Sequence, residues 1–305
     1  MSERKALLIL HGKQALNEEV RAAVANKREQ GWELAVSLTW EAGDAQRMVT
    51  QALAAGYRQI IAGGGDGTLR DIAEAMAMQP TQASLVLMPL GTANDFARAA
   101  GVPLEPALAL ELLESAPSAI DLGEVDGQVF LNMATGGFGS QVTANTSEEL
   151  KKILGGAAYL FTGLSRFNEL HAAYGELQGP DFHWQGDLLA LGIGNGRQAG
   201  GGRVLCPEAL VDDGLLDISI LPAPQEVVGT LKNLLTEGFG IDSLFVRARL
   251  PWIEIKVSEG LYINLDGEPL EGNSLRFSVR PAALLVHLPE TSLLLSANAE
   301  VNRPG

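Results

Sequence analysis

Four glycines within five positions stand between a short apolar run and a helical pattern, and they restrict what the chain can form there. The apolar run covers residues 59–62, the glycines occupy positions 63–65 and 67, and the helical pattern begins at Leu69. Glycine tolerates positive φ and lets another group approach the main chain closely. A helix that begins directly after such a turn presents unpaired N–H groups and the positive end of its dipole. The segment therefore predicts a strand-to-helix turn that can hold a polyphosphate.

The spacing of these glycines matches neither of two common phosphate-binding motifs. Walker A ends in Gly-Lys-Ser/Thr and the dinucleotide fingerprint is G-x-G-x-x-G, whereas Thr68 follows the last glycine here. A tight connection without a ligand is the alternative. Ordering three consecutive glycines costs roughly 0.5 to 1 kcal/mol each in backbone entropy, which favours a ligand-binding role.

A second turn repeats the arrangement after the apolar run at residues 85–88. Gly91, Thr92, Asn94 and Asp95 follow that run and precede a helical pattern. Thr92 can donate to a phosphate, while Asn94 or Asp95 can cap the helix, and capping alone would explain the latter two. Because ligands bind beyond the carboxyl ends of parallel strands, the two turns together predict one shared nucleotide site.

Short apolar runs alternate with helical patterns up to about residue 120. The predicted strands cover residues 6–10, 34–39, 59–62 and 85–88, and the predicted helices cover residues 17–30, 45–55 and 69–78. This alternation is typical of βαβ units with helices on both faces of a mostly parallel sheet.

After Ile120 glycines multiply and short β-like runs dominate, which predicts an antiparallel β domain. The predicted strands cover residues 217–221, 252–257 and 275–279, and the predicted helices cover residues 148–167 and 224–236. The last apolar run, residues 282–288, could belong to either domain.

Composition excludes several classes of protein. With 46% hydrophobic and 19% charged residues the chain is an ordinary globular protein, and its net charge of −15 leaves no electrostatic footprint for nucleic acid. The same charge disfavours static binding to an anionic membrane. No apolar run approaches the roughly 18 to 20 residues that span a bilayer. The single cysteine, Cys206, excludes an internal disulfide and is expected to be a small buried residue in a cytoplasmic protein.

Five motifs occur in order along the chain. They read GGGDGT at 63–68, PLGTANDF at 89–96, NMATGGFG at 132–139, GNGRQAGGG at 194–202 and NLDGEPL at 264–270. Together they resemble the diacylglycerol-kinase catalytic family, most closely its YegS-type bacterial lipid kinases. The resemblance implies a Rossmann-like α/β domain, related to NAD kinases and phosphofructokinases, covering residues 1–122 plus about 284–305. It also implies an antiparallel β-sandwich over residues 123–283, with a catalytic cleft between the two domains.

The resemblance further implies an ATP-dependent kinase that phosphorylates a lipid hydroxyl and visits the membrane transiently from the cytoplasm. Diacylglycerol, a phosphatidylglycerol-like headgroup or a sphingoid base would be the acceptor. The implied ATP contacts are Thr39, Gly63, Gly64, Gly65, Asp66, Gly67, Thr68, Leu69, Arg70, Asp71 and Thr92. An ordinary strand-end residue is the alternative for Thr39.

Metal and catalytic residues follow from the same resemblance. A metal site would use the Asp213 carboxylate and the carbonyls of Leu210 and Leu215, which are oxygen ligands suited to Mg²⁺ or Ca²⁺. An acidic turn without metal is the alternative. Glu268 would accept the proton of the lipid hydroxyl, and Asp266 would support it or help to hold the catalytic Mg²⁺. Asp-Gly at 266–267 also predicts a type I′ hairpin, and Asp66 and Asp95 are further candidates for metal contact.

Two other functions stay open at this point. One is an NAD kinase or another soluble-metabolite kinase that shares the glycine turn, and the other is a nucleotide-binding regulatory protein without turnover. The sequence departs from many relatives at residues 10–13, where an Asn-Pro loop is usual; Lys13 could still reach a phosphate, although a solvated surface lysine is the simpler interpretation. The oligomeric state is not indicated.

Overall fold

A computed structural model describes residues 4–137, 173–222 and 245–299. Within these ranges no helix is long and apolar enough to cross a membrane. The predicted helices at 148–167 and 224–236 lie outside the described residues, as do the last two residues of the NMATGGFG motif.

The first part of the chain forms four parallel strands and five helices. The strands are β1 (Lys5–His11), β2 (Glu33–Thr39), β3 (Gln59–Gly64) and β4 (Ser84–Pro89). The helices are α1 (Glu18–Glu29), α2 (Asp44–Ala54), α3 (Asp66–Ala77), α4 (Asp95–Ala99) and α5 (Pro106–Glu111). Each predicted strand and helix of this part is confirmed, with ends shifted by at most a few residues.

Strand order β4-β3-β1-β2 makes a parallel sheet whose inner strands are buried on both faces. One apolar core lies against α2 and α3, and a second lies against α1 and α5. The apolar runs of β1, β3 and β4 therefore do not alternate with polar residues, as expected for strands covered on both sides. All four strands end at the same edge, where both glycine turns lie.

The second part is antiparallel and rich in strands. They are β5 (Ser118–Val125), β6 (Gln128–Phe130), β7 (Met133–Gly137), β8 (Ala173–Gly179), β9 (Phe182–Gly194), β10 (Gln198–Ala199), β11 (Arg203–Val204), β12 (Leu216–Pro222), β13 (Val246–Leu250), β14 (Trp252–Leu265) and β15 (Glu268–Val286). A short helix, α6 (Ser296–Ala299), follows them. The predicted mixed fold, an α/β half and an antiparallel β half, is confirmed.

Long strands fold the antiparallel sheet over an apolar core. Strands β9 and β14 each pair with β7 near one end and with β8 near the other, so the four strands enclose that core. Strand β15 joins the two halves of the fold: residues 268–278 pair with β14, while Leu285 and Val286 pair in parallel with β4. The last apolar run thus belongs to a strand that enters both halves. The division at residues 122 and 284 stays a prediction.

Asp121 of β5 holds three segments together where the halves meet. One carboxylate oxygen accepts from the amide of Gly214 at 2.7 Å, and the other accepts from the amide of Ala282 at 2.8 Å. The side chain is 3% exposed, so these hydrogen bonds satisfy a buried charge. The Asp213 loop is thereby fixed to the bend in β15.

Burial of His287 makes the fold less stable in mild acid. It is 1% exposed, and its Nε2 lies 2.7 Å from Ser84 Oγ. Burial lowers the pKa of His287, so the unfolded chain, with a histidine pKa near 6.5, takes up a proton first. The stability contributed by neutral His287 is intact above about pH 6.5 and is lost as the pH falls below that value. Urea unfolding at pH 7 and pH 5 should show a smaller pH dependence for His287→Gln than for the wild type.

Asp217 has the opposite effect on stability as the pH falls, and this effect is the same in the wild type and in His287→Gln. Burial raises the pKa of Asp217 to about 6, so its protonation offsets part of the loss as the pH falls. The difference between wild type and variant therefore isolates His287. Equal pH dependence in the two proteins would contradict the prediction.

Candidate active site

The first glycine turn joins β3 to α3, and its first three glycines stand where a larger residue would clash with neighbouring atoms. A Cβ atom at Gly64 would lie 2.4 Å from Thr68 Oγ1, and one at Gly91 would lie 2.5 Å from the Cα of Gly65. The backbone of the second glycine turn thus packs directly on the backbone of the first. The amide of Leu90 adds a hydrogen bond of 2.7 Å to the carbonyl of Gly64. Packing therefore explains why Gly64, Gly65 and Gly91 are glycines.

Gly67 has no such structural reason. A Cβ atom there would meet nothing within 4 Å, its φ is not positive, and the residue is exposed in the first turn of α3. No side chain caps this helix, whose N-cap position is Gly65. The space enclosed by Gly64, Gly65, Asp66 and neighbouring residues is about 10 Å³, room for about one water. A ligand would therefore lie outside the turn, against Gly67 and the free end of the helix.

The second turn differs from the prediction that Asn94 or Asp95 caps α4. Asn94 occupies the N-cap position without a side-chain capping bond, because its Oδ1 and Nδ2 bond to the amide and carbonyl of Gly91 at 2.9 and 2.8 Å. The Asp95 carboxylate instead accepts from the amides of Gly201 and Gly202, in the β10–β11 hairpin, at 3.0 and 2.6 Å. Thr92 is exposed beside them.

Thr39 is the half-buried last residue of β2 and pairs with His11 at the end of β1. Leu10, the residue before His11 in β1, pairs with Gly63 of β3. Two strand spacings, about 10 Å, thus separate β2 from β3. Thr39 shares an edge with the glycine turn but does not contact it directly.

Asp266 and Gly267 form the turn between β14 and β15. Their φ values are 46° and 109°, and Leu265 pairs with Glu268 across the turn. Positive φ at both positions confirms the predicted type I′ hairpin. The Asp266 carboxylate accepts three backbone amides, those of Leu131, Asn132 and Met133, at 2.7 to 3.0 Å. Burial raises the pKa of Asp266, and the three amides oppose that rise.

Glu268 reaches the second turn of α3. Its Oε1 lies 3.0 Å from a terminal nitrogen of Arg70, and the same guanidinium pairs with Asp71. The side chain of Arg70 is 13% exposed, whereas that of Glu268 is 60% exposed. The structure therefore brings the predicted catalytic hairpin to the helix that begins at the glycine turn.

An open cleft of about 520 Å³ lies beside this ion pair. The lining residues come from the start of α2, one face of α3, β6 and the β14–β15 hairpin: Ala42, Gly43, Ala45, Gln46, Arg70, Asp71, Glu74, Ala75, Met78, Gln128, Val129, Leu265, Glu268 and Pro269. Of the predicted site residues, Arg70, Asp71 and Glu268 line it. Its size suits a small-molecule ligand, since such sites have volumes of about 300 to 1,000 Å³.

Carboxylates are concentrated near the turns. Burial raises the pKa of Asp66, nearby Asp95 raises it further, and the amides of residues 94–96 lower it. Within the described ranges, no three acidic, histidine or cysteine side chains are placed to hold one metal ion. A Mg²⁺ ion here would thus need ligands from a bound phosphate as well, which is the usual arrangement for this ion.

The predicted metal loop lies elsewhere. Neither Asp213 nor Leu210 nor Leu215 is among the described residues that line the cleft. One Asp213 oxygen accepts the amide of Leu215 at 3.0 Å, and the other forms an ion pair with Arg249. Burial raises the pKa of Asp213. Its oxygen ligands suit Mg²⁺ or Ca²⁺ by type, but a cation would have to compete with Arg249.

Sequence reasoning missed three features of the site. It did not pair Arg70 with Glu268, did not connect Asp95 to the β10–β11 hairpin, and did not single out Asp121. Asp121 alone gave a signal, since it is a charged residue with apolar Ile120 and Leu122 on either side. The other two contacts join residues far apart in the chain, and no local pattern marks them.

Comparisons with known proteins agree with this geometry. The model of the diacylglycerol kinase catalytic domain matches residues 5–125, and that of the YegS C-terminal NAD kinase beta sandwich-like domain matches residues 133–288. A protein of Pseudomonas fluorescens strain Pf0-1 named probable lipid kinase YegS-like is 83% identical over 100% of both chains. One of the same name from Pseudomonas syringae pv. syringae strain B728a is 74% identical over 100% of both.

A solved structure extends the likeness to the fold. A diacylglycerol kinase from Bacillus anthracis str. Sterne superposes with a TM-score of 0.73 at 21% identity, over 96% of this chain and 99% of that one. The sequence matches cover both halves of the fold and include the glycine turns and the acidic hairpin. The chain therefore belongs to the YegS-like lipid kinase family, with a diacylglycerol kinase catalytic domain followed by a YegS C-terminal domain.

Proposed function

We propose that this protein is an ATP-dependent lipid kinase, which transfers the γ-phosphate of ATP to a hydroxyl of a phosphatidylglycerol- or diacylglycerol-like acceptor. One observation carries the proposal. The carboxylate of Glu268 lies 3.0 Å from Arg70, in the second turn of the helix that follows the glycine turn. A candidate base thus contacts the helix that begins at the candidate phosphate site.

Each side chain has a role in this scheme. The amides around Gly67 and the start of α3 bind the phosphates, with the helix dipole favouring their charge. Thr39 and Thr92 contribute from the neighbouring strand ends. Glu268 accepts the proton of the lipid hydroxyl while the hydroxyl oxygen attacks the γ-phosphorus. The bond from phosphorus to the bridging oxygen of the β-phosphate breaks, and ADP leaves. Asp266 fixes the hairpin that presents Glu268.

A divalent cation would supply charge neutralisation for the transferring phosphate when it is bound with the nucleotide. Asp66, the first residue of α3, is the carboxylate at the helix start that would contact it, in exchange for the amides of residues 94–96 that it binds in this structure. The loop at Leu210, Asp213 and Leu215 would hold a second cation in a structural role. We place the enzyme in the cytoplasm, meeting its acceptor at the membrane surface only transiently.

A lipid panel tests this function. Purified protein, labelled ATP and Mg²⁺ are incubated with vesicles of phosphatidylglycerol, micelles of diacylglycerol, sphingosine, or soluble NAD. Label is expected in one of the first two lipids. Label in NAD alone would identify a soluble-metabolite kinase instead, and nucleotide binding without label in any acceptor would favour a regulatory protein.

Glu268→Gln should abolish most of the turnover. Losing a general base costs about 10² to 10⁴ in rate, and the neutral amide is nearly isosteric, so nucleotide binding should persist. The measurement is kcat with the best lipid of the panel, together with the Kd for a non-hydrolysable ATP analogue. Glu271→Gln is the matched control, because Glu271 is an exposed glutamate on the same strand. Unchanged turnover in Glu268→Gln would remove Glu268 from the mechanism.

Gly67 separates ligand binding from folding. Because its Cβ position is open and its φ is not positive, Gly67→Ala and Gly67→Val should fold as well as the wild type. The added carbons would stand where a phosphate approaches, so the KM for ATP should rise stepwise, by about tenfold for valine. Gly64→Ala is the contrasting variant and should unfold at lower temperature, since its Cβ would overlap Thr68. An unchanged KM in both Gly67 variants would argue against phosphate binding there.

The Asp213 loop gives a prediction about metal binding. Arg249 pairs with Asp213 and, at 3.2 Å, with Asp217, so it competes with any cation for the Asp213 carboxylate. Arg249→Gln should therefore tighten the binding of Ca²⁺ or Mg²⁺, and Asp213→Asn should weaken it, by about tenfold in each case. Calorimetric titration of the nucleotide-free protein measures both affinities. Equal affinity in wild type and Asp213→Asn would exclude this carboxylate as a ligand.

A further inference from the structure

Arg70 connects the two halves of the fold through charge. It extends from α3 between two carboxylates, Asp71 on its own helix and Glu268 on the β14–β15 hairpin. Its side chain is 13% exposed, against 46% for Asp71 and 60% for Glu268. One largely buried guanidinium is thus shared by two more accessible acids.

The charge balance of the cleft makes this sharing important. Arg70 is the one basic residue among the described residues that line the cleft, where Asp71, Glu74 and Glu268 are acidic. The phosphates of a nucleotide at the start of α3 would bring several more negative charges within one helical turn of Arg70. Unless Arg70 turns toward the phosphates, its positive charge is paired with carboxylates, and those carboxylates repel the nucleotide.

The pair between Arg70 and Glu268 can be exchanged at little cost. The Glu268 side chain is 60% exposed, so water screens its attraction to Arg70 and the pair contributes little to stability. A guanidinium binds phosphate oxygens with paired, charge-assisted hydrogen bonds, so a polyphosphate is a strong competitor for it. A carboxylate held by a guanidinium is also a poor proton acceptor, since part of its lone-pair density is occupied.

We propose that Arg70 is a positioning residue that couples nucleotide binding to the availability of Glu268, a mechanism that rests on the proposed function. Without nucleotide, Arg70 holds the Glu268 carboxylate across the cleft. The phosphates of the bound nucleotide take over the guanidinium and release Glu268 toward the acceptor hydroxyl. The base is therefore freed only when the phosphate donor is in place.

Competition between Glu268 and the nucleotide for one cation gives a test that needs no turnover. The Kd for a non-hydrolysable ATP analogue at fixed Mg²⁺ is measured for wild type, Glu268→Gln, Arg70→Gln and the double variant. Glu268→Gln should tighten binding by about threefold to tenfold, because Arg70 no longer has to leave a partner. Arg70→Gln should weaken binding by about tenfold, and Arg70→Lys by less, since lysine keeps the charge.

The double variant decides the mechanism. If Glu268 acts through Arg70, Glu268→Gln has no effect on affinity once Arg70 is replaced. If Glu268→Gln tightens binding equally in both backgrounds, it acts by simple loss of repulsion and the inference is wrong. It is also wrong if Glu268→Gln changes affinity in neither background.

Controls separate this result from a failure of the function itself. Arg276→Gln removes a comparable arginine–glutamate pair, with Glu254 at 2.6 Å, outside the cleft, and should leave the Kd unchanged. A wild-type protein that binds no nucleotide would overturn the proposed function along with the inference. Nucleotide binding and lipid phosphorylation by the wild type, without the expected difference between backgrounds, would overturn the inference alone.

Discussion

Two backbones in direct contact set the geometry of this site. Strands β3 and β4 end side by side, and the turns that follow them pack so closely that a Cβ on Gly91 would lie 2.5 Å from the Cα of Gly65. Because no side chain intervenes, α3 and α4 begin next to each other at the edge of the sheet. Both helix starts thus lie at the same edge, with no basic side chain in either turn. The amides of residues 94–96 bind Asp66, whereas no side chain caps α3.

Acids that bind backbone amides fix the segments around this edge, and one of them, Asp95, bonds the first half of the fold to the second. Asp266 accepts three amides from residues 131–133, Asp95 accepts two from the β10–β11 hairpin, and Asp121 accepts two more from Gly214 and Ala282. A buried carboxylate that receives two or three N–H groups is well satisfied. These carboxylates fix the relative position of segments that are far apart in the chain. They also make the region acidic, which gives Arg70 its importance as the one basic residue among the described residues that line the cleft.

Local patterns were sufficient for the elements of the first half and for the turns. Unbroken apolar runs identified the buried parallel strands, glycine spacing identified the two turns, and Asp-Gly at 266–267 identified the hairpin, since each depends on residues close in sequence. The capping role expected of Asn94 and Asp95 was wrong for a physical reason. An N-cap pattern reports only what a side chain can reach locally, whereas Asp95 found two amides in a hairpin that its own helix does not reveal.

The pairing of Arg70 with Glu268 shows where sequence reasoning ends. Both residues were among the predicted site residues, and each was assigned a separate task, one toward ATP and one toward the acceptor. That these two residues form an ion pair follows only from the register of the β14–β15 hairpin and the direction of α3. Both are set by packing across the whole fold. Charge placement of this kind depends on long-range contacts. A family motif can therefore identify the participants in such a site without revealing how their charges are connected before the ligand arrives.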